Sequence, residues 1–351
     1  MRSKLVPESL TERLALWAGK VPVPIVDTIF PLLKVRSLMA AERLGIFEAL
    51  RDAPLSPVAL AAALHLDEGS LCLLLRVLVA SGYLAERAGQ YRLTPLARRT
   101  LLRGSPLECR NFLRFTYTQW QLVEHLEHLL QTGQGLDLHQ SMHGSQQWED
   151  YQRAMLEIAR SHAPILARSV PVRRGARLLV DVAGSHGLLG AAICRRHPPL
   201  RSRVLELPAA LDAAHRLAEE EGIADVVEHV SGDLRTGPLA SGADVLLLAN
   251  VVHHFTPEQN VDLLRRAHHS LAPGGTVAIW DIERRADGAA PELGRDAIAL
   301  FFRITSASRC FSEGDLRAWL EAAGFSRICS VRSRAAPLHL LVHAGKPGGQ
   351  K

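Results

Sequence analysis

The sequence predicts an α/β chain in which a mostly parallel sheet with helices on both faces follows a mainly helical first part. Three observations carry this reading. Between residues 176 and 351 short apolar runs alternate with amphipathic stretches, the pattern of strands joined by crossover helices. The first such run, Arg177 to Gly190 (RLLVDVAGSHGLLG), ends in an acid and breaks into small residues before a helix, as a buried strand hands over to a ligand-binding turn. Ahead of it, apolar residues recur mainly at helical spacing.

The 351 residues are 47% hydrophobic, enough for two domains with a large core. A formal charge of +5 arises from 41 Lys and Arg against 36 Asp and Glu, interspersed rather than gathered, so composition offers little to a nucleic-acid partner. Cys72, Cys109, Cys194, Cys310 and Cys329 form no CxxC pair, which argues against a disulfide framework or a cysteine zinc site. No run approaches ~18 uninterrupted apolar residues, and the start lacks the apolar core of a secretory signal. The expectation is a cytoplasmic protein with no membrane partner.

Three segments follow: 1–105, 106–175 and 176–351. From Ile25 to Leu50 the spacing predicts two helices meeting at Pro31. Ser56 as cap and Pro57 at the first helical position begin a helix to Leu64, and Asp67 to Ala80 forms a strongly apolar one. Short strand-like runs around Gly89 complete a winged-helix pattern. The second helix opens with Asp67 and Glu68 and offers only Arg76 for base reading, so packing or dimerisation is preferred over DNA binding.

Pro106 to Gly133 reads as helical and Leu136 to Gln147 as a loop, after which Trp148, Tyr151, Met155 and Ile158 recur at helical spacing. That stripe is either core or the lining of a flat apolar pocket, and Phe301 and Phe302 extend the second alternative. His125, His128, His139 and His143 fall in one-turn pairs, but a chain with 16 histidines produces such pairs without a metal.

In the last segment strands are expected at Leu178 to Val180, Ser202 to Leu205, Val226 to Val230, Ala243 to Leu248, Thr276 to Asp281, Ser326 to Val331 and Leu338 to Val342. Helices are expected at Ala209 to Glu221, Pro257 to Leu271 and Ser312 to Ala323. Ligands on such a sheet bind past the strand ends. There stand Asp181, Ala183, Gly184 and Gly187; then Glu206 and Leu207, the acid nineteen residues beyond Gly187; then Gly232, Asp233 and Leu234; then Asn250 and His253-His254. Asp181 at the turn repels a pyrophosphate and suits a cationic ligand, which counts against a dinucleotide. The histidine pair is either a hydrogen-bonded turn or a proton acceptor at the mouth of the site.

These residues resemble the S-adenosylmethionine-dependent small-molecule O-methyltransferases, the group of plant phenolic and bacterial antibiotic and pigment enzymes. The likeness rests on the segment Leu32 to Leu102, the loop Asp181 to Gly187, Glu206-Leu207-Pro208, Gly232-Asp233, His253-His254-Phe255, Leu271 to Gly275 and Ala322 to Phe325. It implies a class I methyltransferase (Rossmann-like) sheet with an antiparallel last strand, a winged-helix dimerisation domain and a homodimer. It also implies that S-adenosyl-L-methionine lies against Asp181 to Gly187, with Glu206 at its ribose, Asp233 and Leu234 at its adenine, and His253 as general base toward a small-molecule hydroxyl.

Three departures stand out. The family's loop usually has glycine at Ala183 and Ser185; the plant enzymes carry a lysine at the position of Ala249; and of the two glutamates flanking the base, Asp281 replaces one while the other falls at Cys310. The last leaves open a relative that binds the cofactor for non-methylating chemistry, or one that methylates carbon or nitrogen. His186, inside the loop, either touches the cofactor or packs outward.

Overall fold

The computed structural model describes residues 7, 9–142, 144–285, 288–306 and 308–348. His143 lies outside the described residues. The chain forms two compact units, Met1–Thr118 and Gln119–Lys351.

In the first unit Val23–Arg43 is one helix that runs through Pro31, in place of the two helices expected. A mid-helix proline costs one i→i−4 hydrogen bond, and here it lies on an exposed face. The turn comes instead at Gly45, whose φ of 77° few side chains tolerate. Ser56 caps Pro57–Leu64 by accepting from the Ala59 N–H, and Asp67 caps Glu68–Ala80 through the Ser70 N–H. The hairpin β1 (Leu84–Arg87) and β2 (Gln90–Leu93) follows as expected. Ile46, Phe47, Leu60, Leu71, Leu75, Leu78 and Leu93 make the core. One face of the Val23–Arg43 helix leaves Ile25, Ile29, Phe30, Leu32 and Leu33 in solvent.

The stretch from Pro106 to Gly133 divides into helices Arg110–Val123 and Leu126–Thr132, and the expected loop holds a short helix, Leu138–Ser141, capped by Asp137. Ser145–Ser169 is a single long helix.

The second unit is built on β3 (Leu178–Val182), β4 (Arg201–Glu206), β5 (Val227–Ser231), β6 (Ala243–Ala249), β7 (Leu271–Ile282), β8 (Ser326–Ser333) and β9 (Ala336–Gly345), in spatial order β5-β4-β3-β6-β7-β9-β8. β3 to β7 pair in parallel, and β9 runs antiparallel to both neighbours. β6 explains the reading of its sequence as one apolar run. Val245 and Leu247 pack with the Ser145–Ser169 and Leu188–Arg196 helices, whereas Leu246 and Leu248 pack with the Pro257–Ser270 and Glu313–Ala322 helices. The chain winds outward from β3 to β5, then crosses back to β6, so β3 and β6 flank the switch point. A helix at Leu293–Thr305 was not foreseen. No single helix among the described residues is long and apolar enough to cross a membrane.

Candidate active site

The carboxyl ends of β3, β4 and β6 bring together the small-residue loop, Glu206 and the His253 turn. Asp181 pairs in register with Val204 on one side and Leu247 on the other and is 1% exposed. Its Oδ2 accepts from the Gly190 N–H at 3.3 Å, while Oδ1 is buried with no partner. Burial pushes this carboxyl up to about 7, against the pull of the Gly190 N–H and with a further push from Glu206. A Cβ on Gly184 would come within 2.4 Å of the same carboxyl, so the glycine there is fixed by the acid beneath it.

Ala183 and Ser185 both adopt the left-handed region, at φ 54° and 52°. This accounts physically for glycine being usual at those positions in the resembling family. The loop is tied down on all sides. The Ala183 N–H donates to Leu205 O at 2.8 Å, the Ser185 N–H to Glu206 Oε2 at 2.9 Å, and the His229 ring to Ser185 O at 3.0 Å. At Gly187 (φ 78°) a Cβ would strike Val227 at 2.8 Å, so the helix that begins there sits hard on the sheet.

Glu206 ends β4, and its other oxygen accepts from the Leu207 N–H at 2.7 Å. Burial pushes its carboxyl up to about 7 as well, with those two N–H groups opposing. Gly232 follows β5, and a Cβ there would meet Leu205 at 2.4 Å. Asp233 is clamped by its neighbour: the Arg235 N–H and guanidinium reach both carboxylate oxygens, the closest side-chain contact being 2.8 Å. Leu234 is half-buried against the core beside it. Asn250, at φ 56°, donates its backbone N–H to Trp280 O at 2.7 Å and turns the chain out of β6.

His186 packs inward against the Ser145–Ser169 helix. Its Nδ1 accepts from the Leu188 N–H at 3.1 Å, it hydrogen-bonds the Met155 backbone, and burial drives its pKa down to about 3. The ring is thus a neutral strut between loop and helix.

The three-residue turn Val252–His254 carries His253, 2% exposed, with Nδ1 2.7 Å from Asp281 Oδ1 on β7. A carboxylate only accepts, so the shared proton belongs to Nδ1 and the neutral ring keeps its lone pair on Nε2. Asn260 Nδ2 clamps the turn through Val252 O at 3.0 Å and Phe255 O at 3.1 Å. Phe302 stacks on His253 with centroids 3.9 Å apart, and Phe301 adjoins Phe302 at 6.0 Å. Cys310 is 1% exposed, and burial, then the charge of Asp281, pushes its thiol up to about 12. A neutral thiol therefore stands where the resemblance would place a second acid.

A wall of rings continues from His253. His254, its ring 4.1 Å from that of His253, bonds through Nδ1 to Ser306 Oγ at 2.8 Å and meets His139 edge-on at 4.6 Å. His139 contacts Tyr151 OH at 3.2 Å and stacks on Trp148 at 5.9 Å. Burial lowers His139 to about 4 and holds His254 well below its ordinary value, so both rings are neutral near pH 7. The aromatic stripe is therefore neither plain core nor a free wall. Trp148 is 4% exposed, while Tyr151 and Met155 are half-buried on the same helix. Sequence reading missed His139 and Ser306 as members of this neighbourhood; His139 was noticed only for its spacing to His143. Among the described residues no group of three or more His, Cys, Asp or Glu side chains is arranged to hold a metal ion.

The helix bearing Phe302 is backed by the segment before Leu138. The Leu136 N–H donates to Ile304 O at 2.6 Å, and a Cβ on Gly135 would lie 2.5 Å from Arg303 O and 2.8 Å from Ser306 O.

Residues 128–326, more than half of the chain, match a family model described as an O-methyltransferase domain, and residues 26–103 match an O-methyltransferase dimerisation domain. The chain is 27% identical to a 3-hydroxy-5-methyl-1-naphthoate 3-O-methyltransferase of Streptomyces sahachiroi, over 89% of this chain and 91% of that one. It is 30% identical to a 3-amino-4-hydroxybenzoate 4-O-methyltransferase of Streptomyces cremeus, over 90% and 88%. In fold it is similar to human N-acetylserotonin methyltransferase, solved in complex with SAM, with a TM-score of 0.82, 21% identity and coverage of 98% and 100%.

Proposed function

The chain belongs to the O-methyltransferase family and uses S-adenosyl-L-methionine, and on that premise we propose that it methylates a hydroxyl of an aromatic or polyketide-like small molecule with His253 as general base. The observation that carries the base assignment is the buried 2.7 Å contact from Asp281 to His253 Nδ1, at the strand end beside a wall of rings.

The residues present fit the cofactor. Asp181 Oδ1 is a buried carboxyl oxygen without a partner, Glu206 is oriented by two backbone N–H groups, and both sit below a loop of small residues. Such acids suit the amine and hydroxyl donors of a cationic amino-acid nucleoside. In this reading Asp181, Ala183, Gly184 and Gly187 take the methionine end, Glu206 and Leu207 the ribose, and Gly232, Asp233, Leu234 and Asn250 the adenine side. Reaching Asp233 requires Arg235 to release part of its clamp. When bound, S-adenosylmethionine supplies a sulfonium methyl open to direct displacement by an oxygen nucleophile.

The chain's own residues then have three tasks. Asp281 holds the His253 proton on Nδ1, which leaves Nε2 to accept the proton of an acceptor hydroxyl as that oxygen becomes nucleophilic. Phe302 and the rings from His254 to Trp148 offer flat surfaces that orient an aromatic acceptor and exclude water. Phe301, Tyr151 and Met155 complete the same wall. With Cys310 neutral, Asp281 alone supports the imidazolium that forms.

The first unit is proposed to pair two copies through the exposed apolar face of the Val23–Arg43 helix, within the matched dimerisation domain. The test of the functional reading is calorimetry with S-adenosylmethionine and S-adenosylhomocysteine, followed by mass analysis of hydroxynaphthoate and aminohydroxybenzoate acceptors. Cofactor binding with one added methyl on oxygen supports it. Absence of any binding overturns it.

A further inference from the structure

We infer that His339 is a positioning residue for the His253–Asp281 pair, because its single ring braces both the strand that carries the acid and the turn that carries the base. The inference rests on the reading of His253 as the base. His339 lies on β9, in register with Ile282 of β7. Its imidazole stacks on Trp280, the residue before Asp281, with centroids 4.9 Å apart and planes at 16°. Its Nε2–H donates to Asn250 Oδ1 at 3.1 Å, and Asn250 opens the run that ends at His253.

Asn250 is the vulnerable point. It holds a left-handed backbone, and its N–H is tied to Trp280 O at 2.7 Å. A non-glycine residue persists there only when its surroundings over-determine it. The His339 contact is the side-chain half of that restraint. His162, from the Ser145–Ser169 helix, lies edge-on to the His339 ring at 4.4 Å and to Trp280 at 5.5 Å, which blocks rotation of the stack. Burial, then His162, drives His339 down to about 3, so the ring is a neutral donor rather than a charge. The pair it serves is hydrogen-bonded at 2.7 Å in a buried site, where a shift of roughly 1 Å in either arm costs rate out of proportion to its size.

Three variants test this in the full-length protein. The His253 Nδ1–H proton, hydrogen-bonded to Asp281, gives a downfield resonance in 15N-histidine-labelled protein, assigned by its loss in Asp281→Asn. His339→Phe keeps the ring stack and removes the donor. It is expected to lose that resonance and to lower kcat by ~10-fold or more, with the KM for S-adenosylmethionine within about twofold and the thermal midpoint within about 3 °C. His339→Gln restores a donor and is expected to recover the resonance and at least about a third of kcat. Asn250→Gly keeps the left-handed turn without the amide and should reproduce the loss of the resonance, read without cofactor, even where His339→Phe fails to fold. A retained resonance and unchanged kcat in either folded variant overturn the inference, as does a defect that glutamine leaves uncorrected. The resonance needs no turnover. If His253→Ala leaves turnover intact, the base reading fails while the bracing test still reads out.

Discussion

The Phe302 ring lies against the His253 imidazole, with centroids 3.9 Å apart and planes at 23°, so one face of that imidazole is covered by an aromatic ring from another helix. His254 flanks the same imidazole, with its ring centroid 4.1 Å from that of His253 and 6.4 Å from that of Phe302. Phe302→Ala is expected to lower kcat by ~10-fold by letting the ring tilt and water enter, with cofactor affinity within about twofold. Steady-state kinetics beside calorimetry checks this.

His253→Ala removes the proton acceptor and is expected to lower turnover by ~100-fold or more at nearly unchanged cofactor affinity. Asp281→Asn turns the acceptor of the Nδ1 proton into a group that can donate instead, favouring the wrong tautomer. It should cost at least ~100-fold in kcat and be no better than His253→Ala in combination, because the two act as a unit. Additive losses in the double variant would separate them.

Asp181 and Glu206 fix a pH dependence. Burial raises their carboxyls from 3.8 and 4.5 to about 7, so the folded, cofactor-free protein holds more protons than the unfolded chain between those limits. The contribution of these two acids to stability is then greatest below their unfolded values and is lost as pH rises through about 7. A cationic ligand favours the ionised acids, so its affinity rises over the same window and protons are released on binding. Melting curves from pH 4 to 8 with and without S-adenosylmethionine, and binding heats in buffers of different ionisation enthalpy, measure both effects. A cofactor affinity flat across pH 5 to 8 contradicts the assignment.

Ala183 and Ser185 hold left-handed backbone at φ 54° and 52°. Ser185→Gly removes a conformational cost of ~1 kcal/mol, partly offset by the freer unfolded chain, and is expected to stabilise by roughly 0.5 kcal/mol. Its side-chain oxygen is buried without a partner, so nothing polar is lost with it. Ala183→Gly should behave alike. Urea unfolding with an unchanged slope provides the check.

What was legible in the sequence was local. The run Leu178 to Val180 announced a strand covered on both faces, and the small residues after Val182 announced a turn open to a ligand. Glu206 and His253 were found because a strand end is a predictable place. What escaped needed tertiary encounters. Ser306 meets His254 across 52 residues and His339 meets Asn250 across 89, and no periodicity records such pairs. Leu293–Thr305 escaped because its first turn holds Gly294, Arg295 and Asp296, which mask the apolar face built by Phe301 and Phe302. Pro31 misled because exposure on one face lets a helix tolerate a missing hydrogen bond.

The close fit of Gly135 against Arg303 O and Ser306 O has an evolutionary corollary. The rings proposed to face the acceptor stand mainly on two helices, Ser145–Ser169 and Leu293–Thr305, while the groups proposed for the cofactor hang from strand ends. His186 is the strut that ties the two together, so changes along the first helix are felt at the loop through that ring. Gly135 couples drift in another loop to the wall: any side chain there presses on the carbonyls of Arg303 and Ser306, behind Phe302. Descendants of this chain are free to repaint the wall, but not to thicken the wedge behind it.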